Sequence, residues 1–128
     1  MMNKTEIDIL CDHVRENAFA LHRFLRHGHL EKVYENGLAH RLRKLGVQVQ
    51  QQAPLPVLDE DGTLLGDYFA DLLVADDLIV ELKAVRHITD DHVAQVLGYL
   101  RSSRKRFALL VNFGAPKLFI KRYVLDPT

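Results

Sequence analysis

Two apolar segments of this sequence hold the residues with the clearest chemical use. Phe69-Ala70-Asp71-Leu72-Leu73-Val74 carries one carboxylate, and Leu78-Ile79-Val80-Glu81-Leu82-Lys83-Ala84-Val85 carries a carboxylate and an ammonium. Strand side chains alternate, so Glu81 and Lys83 share a face with Ile79 and Val85, while Val80, Leu82 and Ala84 line the other. A strand apolar on both sides is interior to a sheet, where ionised groups are costly unless paired or bound to a cation. Whether Asp71 joins them depends on the turn. A two-residue turn at Asp76-Asp77 sets Asp71 opposite Leu82, on the wrong face. A three-residue turn, Ala75-Asp76-Asp77, pairs Asp71 with Glu81 and Leu73 with Ile79. An odd-numbered turn or a bulge is therefore expected.

Two converging carboxylates beside a lysine suit a hard divalent cation. Mg²⁺, or Mn²⁺ in its place, takes one or two protein carboxylates and completes its shell with water and phosphate oxygens. Such a cation acidifies a bound water and neutralises charge on a phosphoryl group, while a lysine positions the water or the developing anion. The competing reading is a buried Asp/Glu–Lys ion pair with no chemistry. Further polar candidates lie on helices. At ~100° per residue, Leu38, Leu42 and Leu45 fall within roughly 40° of Glu31, which makes Glu31 the better third ligand and Glu35, on the stripe's edge, its alternative. His92, Gln95 and Tyr99 follow one another at helical spacing, and a Gln and a Tyr one turn apart can orient a phosphate or a water.

The elements that must position these groups are readable from periodicity. Ile7, Leu10, Cys11, Val14, Ala18, Leu21 and Leu25 recur at helical spacing over roughly 5–26. Gly28 interrupts, and a second helix is expected from about 29 to 45, stopped by Gly46. Segments 47–52, 55–58, 68–75 and 78–85 read as strands, divided by Pro, Asp and Gly. Asp90 and Asp91 open a third helix to about Ser103, and 106–112 and 118–125 read as two more strands. The order ααββββαββ implies one mixed sheet carrying helices, α/β or α+β.

The chain has 128 residues with 17 basic and 17 acidic side chains, the size of a single domain spanning 1–128. The balance of charge hides unlike parts: net +2 over residues 1–44, −8 over 45–100 and +6 over 101–128. The basic cluster Arg101, Arg104, Lys105 and Arg106 ends the third helix, where cations favour the dipole and where Arg101 and Arg104 can also meet phosphates. Seven histidines show no zinc spacing and Cys11 is alone, so neither a zinc site nor an internal disulfide is expected. Apolar runs are too short to span a bilayer and the polar start does not read as a secretory signal, which points to the cytoplasm and away from membranes.

Taken together, Gly28-x-x-Glu31-x-x-Tyr34 with Glu35, Ala70-Asp71-Leu72-Leu73-Val74, Val80-Glu81-Leu82-Lys83-Ala84, Gln95-x-x-x-Tyr99 and Val111-Asn112-Phe113-Gly114 resemble the bacterial GxxExxY proteins of the PD-(D/E)XK nuclease-like superfamily. The resemblance runs over roughly residues 5–125. It implies a restriction-endonuclease-like αβββαβ core with an extra N-terminal helix, and a Mg²⁺-dependent phosphodiesterase site. It matches Asp71 and Glu81 to the metal-binding acids, Lys83 to the catalytic lysine, Glu31 or Glu35 to the helix-borne acid, and Gln95 with Tyr99 to a QxxxY motif. Ala70 stands where the superfamily's name has proline, and Phe69 where many relatives carry arginine. The expected function is hydrolysis of DNA or RNA by metal-activated water; the alternative is a catalytically silent nuclease-like fold that binds nucleic acid or protein. A minimal domain of this kind could work as a homodimer.

Overall fold

The computed structural model describes residues 2–125. Its elements run α1 (Lys4–Leu25), α2 (Glu31–Lys44), β1 (Val49–Leu58), β2 (Leu64–Val74), β3 (Leu78–Lys83), α3 (Asp90–Ser103), β4 (Phe107–Asn112) and β5 (Phe119–Val124). The five strands form one mixed sheet in the order β1-β2-β3-β4-β5. Neighbouring strands are antiparallel except β3 and β4, which are parallel and joined by the α3 crossover. This α+β architecture is the restriction-endonuclease-like core preceded by an extra helix.

The helices follow local chemistry. Asn3 caps α1 by accepting the Glu6 backbone N–H, and Ile7, Leu10, Cys11, Val14, Ala18 and Leu21 bury its apolar stripe. Gly28 has φ +110, which lets the chain reverse between α1 and α2. Gly46, at φ +80, ends α2 with its N–H on the Arg43 carbonyl. At the start of α3 the Thr89 N–H is satisfied by His92 Nδ1 at 3.0 Å, so His92 serves its own helix.

The sheet separates two apolar clusters. One packs α1 and α2 against Leu72, Val74, Leu78, Val80, Leu82, Leu109 and Val111. The other packs Val96, Tyr99 and Leu100 of α3 against Leu73, Ile79, Ala108 and Leu110. β3 and β4 are apolar on both faces because both faces are covered. No helix among the described residues is long and apolar enough to cross a membrane.

One expectation is corrected. The segments 47–52 and 55–58 are a single strand, β1, so three strands rather than four precede α3. Pro54 and Pro56, instead of breaking the strand, pair with Phe69 and Asp67 inside the ladder. The reason is position: β1 is an edge strand, where a missing N–H need not interrupt the sheet.

Candidate active site

β2 and β3 are joined by the three residues Ala75-Asp76-Asp77, with Val74 opposite Leu78, Leu73 opposite Ile79 and Leu72 opposite Val80. Ala75 and Asp76 both take left-handed φ values, 51 and 61, to close this tight loop. One step further in the same register brings Asp71 level with Glu81, as the odd-numbered turn requires. There the ladder changes character. The Asp71 N–H donates to Glu81 Oε1 at 3.0 Å, and the Leu82 N–H donates to Asp71 Oδ2 at 2.8 Å. Side-chain oxygens have replaced main-chain partners, so each carboxylate is oriented by the other strand's backbone.

Glu35 approaches from α2. It is 3% exposed and accepts three hydrogen bonds: Lys32 Nζ at 2.8 Å and Gln51 Nε2 at 2.7 Å on Oε2, and Gln52 Nε2 at 2.6 Å on Oε1. The same Gln52 nitrogen reaches Asp71 Oδ1 at 3.2 Å. Glu31, the better third ligand by helical angle, is exposed. It is the first residue of α2, open to solvent yet near enough to Asp71 and Lys83 to feel both charges, whereas Glu35 lies one turn deeper. Leu45 is likewise 54% exposed, because it lies past the helix's other end.

Lys83 donates from Nζ to Gln95 Oε1 at 2.9 Å, which joins the strand lysine to the α3 stripe. Tyr99, one turn on, is buried with its ring 4.9 Å from that of Tyr68. Just past Lys83 the chain is clamped. Buried Asn112 accepts from the Val85 and Gly114 N–H groups and donates to the Val85 carbonyl, and the Phe113 N–H meets the Lys83 carbonyl. A Cβ on Gly114 would lie 2.2 Å from the Val85 nitrogen, so only glycine fits this approach.

The GxxExxY residues serve the same end. Tyr34 stacks on Phe113 at 4.6 Å, donates its hydroxyl hydrogen to the Arg26 carbonyl and accepts from the His29 N–H. It thereby fixes the loop that launches Glu31. Arg101 is exposed on α3, and Arg104 sits beyond the helix C-terminus. The adjacent Lys105 bonds the Asp76 carbonyl at 2.6 Å, in the turn at the start of β3. Lys83 is at the other end of that strand, about 16 Å of extended chain away. Arg104 therefore does not share a cleft edge with Lys83, and the structure leaves it apart from the cluster.

Gln51 and Gln52 join the site without having been expected from sequence, and Asn112, part of the Val111-Asn112-Phe113-Gly114 motif, joins it with a role the motif had not been given. A signal existed in Gln50-Gln51-Gln52, three successive amides that make both faces of a strand polar. Asn112 is also visible in sequence as a polar residue ending the apolar run of β4.

The electrostatics follow from burial and crowding. Desolvation, then the Asp71 charge, pushes the Glu81 carboxyl up to about 8. Burial likewise raises Asp71 and Glu31, and Glu31 also feels Asp71. Burial works on Glu35 in the same sense, but the bonds from Lys32, Gln51 and Gln52 prevail and hold it below the ordinary value. Burial and then the charges of Glu81 and Asp71 move the Tyr99 phenol to about 12. The donor set fits a hard divalent cation: two oriented carboxylates, mutually repelling in a desolvated site, which a positive charge would relieve. Among the described residues no group of three His, Cys, Asp or Glu is arranged to hold a metal by itself. A pair of carboxylates completed by water and phosphate is the pattern typical of Mg²⁺.

Comparison with curated proteins and with solved structures gives no match. A family model described as the PD-(D/E)XK nuclease superfamily matches residues 8–123. That span takes in α2, both acidic strands, the lysine and the α3 stripe, and this chain belongs to the PD-(D/E)XK nuclease superfamily.

Proposed function

We propose that this chain is a Mg²⁺-dependent phosphodiesterase of the GxxExxY type, accepting Mn²⁺ and hydrolysing DNA or RNA. The observation that carries this reading is the reciprocal pairing of Asp71 and Glu81, each carboxylate oriented by the opposite strand's N–H, with Lys83 two residues on. A plain ion pair would aim the lysine at a carboxylate; here Lys83 Nζ is held by the neutral Gln95 amide.

Asp71 and Glu81 would hold the cation, and the exposed Glu31 would add a ligand or orient water at the open side. When bound, the cation supplies an acidified water and neutralises charge on the phosphoryl group. Lys83, steadied by Gln95, offers a point charge to the attacking water or the developing anion. Gln95 is the exposed polar group of the α3 stripe, and with Tyr99, whose ring packs on Tyr68, it would organise the substrate. Arg101 and Arg104 would meet nucleic acid away from the scissile phosphate, a salt-sensitive and sequence-tolerant contact.

The test is cleavage of single- and double-stranded DNA and RNA with Mg²⁺ or Mn²⁺. Cleavage is expected, with loss in EDTA and in Asp71→Ala. Equal cleavage by the variant, or tight binding by both proteins without cleavage, rejects catalysis by this site.

A further inference from the structure

Gln52 departs from the backbone conformation usual for a strand residue. The β1–β2 pairs on either side, Gln51 with Leu72 and Ala53 with Ala70, keep one register, so no residue is inserted. Yet Gln52 has φ 49, in the left-handed region that disfavours non-glycine residues. The consequence is visible in the core. Val49 packs in the α1/α2 cluster, whereas Ala53 and Leu55, at the same alternation, pack in the α3 cluster. β2 changes face at the opposing position, with Leu72 in the first cluster and Ala70 in the second. Both strands turn over where Gln52 stands across from Asp71.

Glycine would suit such a position best, and the sequence has an amide with two N–H donors instead. That one nitrogen lies between two acids, 2.6 Å from Glu35 Oε1 and 3.2 Å from Asp71 Oδ1. Glu35 is a fixed post, because Lys32 and Gln51 hold its other oxygen. Asp71 Oδ2 is fixed by the Leu82 N–H, which leaves Oδ1 as the oxygen whose direction Gln52 sets.

We propose that Gln52 is a positioning residue whose side-chain amide ties Asp71 to Glu35 and so aims the Asp71 carboxylate at the bound cation. The proposal rests on Asp71 being a ligand in the phosphodiesterase reading. Held this way, Asp71 is set before the cation arrives, by a residue on left-handed backbone at the point where both strands change face.

Gln52→Gly removes both amide and strain, and Gln52→Met removes the amide while keeping side-chain length and strain. Mn²⁺ affinity without nucleic acid, read by electron paramagnetic resonance, should fall about 10- to 100-fold in both, as for other groups that orient a ligand. Thermal stability should separate them, with the Gly variant at or above the parent and the Met variant below it. Parental Mn²⁺ affinity in either variant overturns the proposal, as does an affinity loss that merely tracks melting temperature. Asp71→Asn distinguishes the two levels. If it weakens Mn²⁺ binding while the Gln52 variants do not, Gln52 alone is misassigned. If Asp71→Asn leaves Mn²⁺ binding unchanged, the cation site falls, and this proposal with it.

Discussion

The Asp71 N–H donates to Glu81 Oε1 at 3.0 Å, at the level where the β2–β3 register passes from backbone pairing to carboxylate pairing. Leu82 returns the bond through its own N–H to Asp71 Oδ2. Two acids are thus held in a partly desolvated place, while Lys83, whose charge both feel, gives its Nζ hydrogen bond to the Gln95 amide. The arrangement stores repulsion that a proton or a divalent cation can relieve.

The first expected outcome is a pH effect on the metal-free protein. The folded-state Glu81 carboxyl titrates near 8 against an ordinary value of 4.5, so the fold binds its proton more tightly than the unfolded chain does. Stability from this group is complete below 4.5 and is lost as pH rises toward 8. Asp71 and Glu31 are raised too and act in the same direction. Melting curves in EDTA should therefore decline across this window, and Glu81→Gln should flatten the decline and exceed the parent at its upper end. Mg²⁺ should raise the parent there and leave the variant unmoved. Parallel pH profiles for the two proteins would contradict the assignment.

A second outcome concerns the pairing of Lys83 with Gln95. Lys83→Ala should slow cleavage by about 10²–10³-fold, the scale for losing one oriented charge-stabilising group. Gln95→Ala should slow it less, because the amide acts in part by holding Nζ. In the double variant the Gln95 change should add little, since its partner is already gone. A double-mutant cycle on single-turnover rates measures this, and full additivity would show that the 2.9 Å bond has no catalytic consequence.

Which parts of this site were legible in sequence follows from the kind of signal each left. The Asp71–Glu81 relation rested on counting residues across one short turn, and alternation along strands makes such a count decisive. Glu31 and Glu35 were harder, since helical angle reports direction but not how far the sheet extends along the axis. Glu31 points the right way and clears the core, while Glu35 is covered. Pro54 misled because proline is read as a break, and only the sheet order reveals that β1 is an edge. Gln52 left no periodic signal, because its role depends on a left-handed φ and on partners 17 and 19 residues away. Arg104 seemed close to the α3 stripe along the chain, but the crossover carries it to the opposite end of β3.

Gly114 gives a third outcome. A methyl group at this position would meet the Val85 nitrogen at 2.2 Å and the Ala84 carbonyl carbon at 2.3 Å, both main chain directly after Lys83. Gly114→Ala must displace that backbone, at a cost on the upper side of the about 1–3 kcal/mol typical of overpacking. Urea unfolding measures it. The Lys83–Gln95 geometry should also suffer, so activity should fall further than the loss of folded protein explains. Unchanged stability would mean that the clamp around Asn112 gives way easily.

The two acids of α2 should separate in opposite directions. Glu35 is 3% exposed and kept ionised by Lys32, Gln51 and Gln52, so its depressed carboxyl stabilises the fold above its ordinary 4.5 and loses that contribution as pH falls through the folded value. Glu35→Gln removes the charge and leaves donors facing a group that offers one acceptor oxygen, a loss of about 1–3 kcal/mol at neutral pH. Glu31 is open to solvent on one side but partly desolvated beside the site, which together with the Asp71 charge raises it, so it contributes repulsion instead. Glu31→Gln should therefore leave metal-free stability equal or higher while reducing Mg²⁺-dependent cleavage. Denaturant midpoints and cleavage rates for both variants measure the separation. If Glu31→Gln is the destabilising change and Glu35→Gln the neutral one, Glu35 is not the anchor of this site.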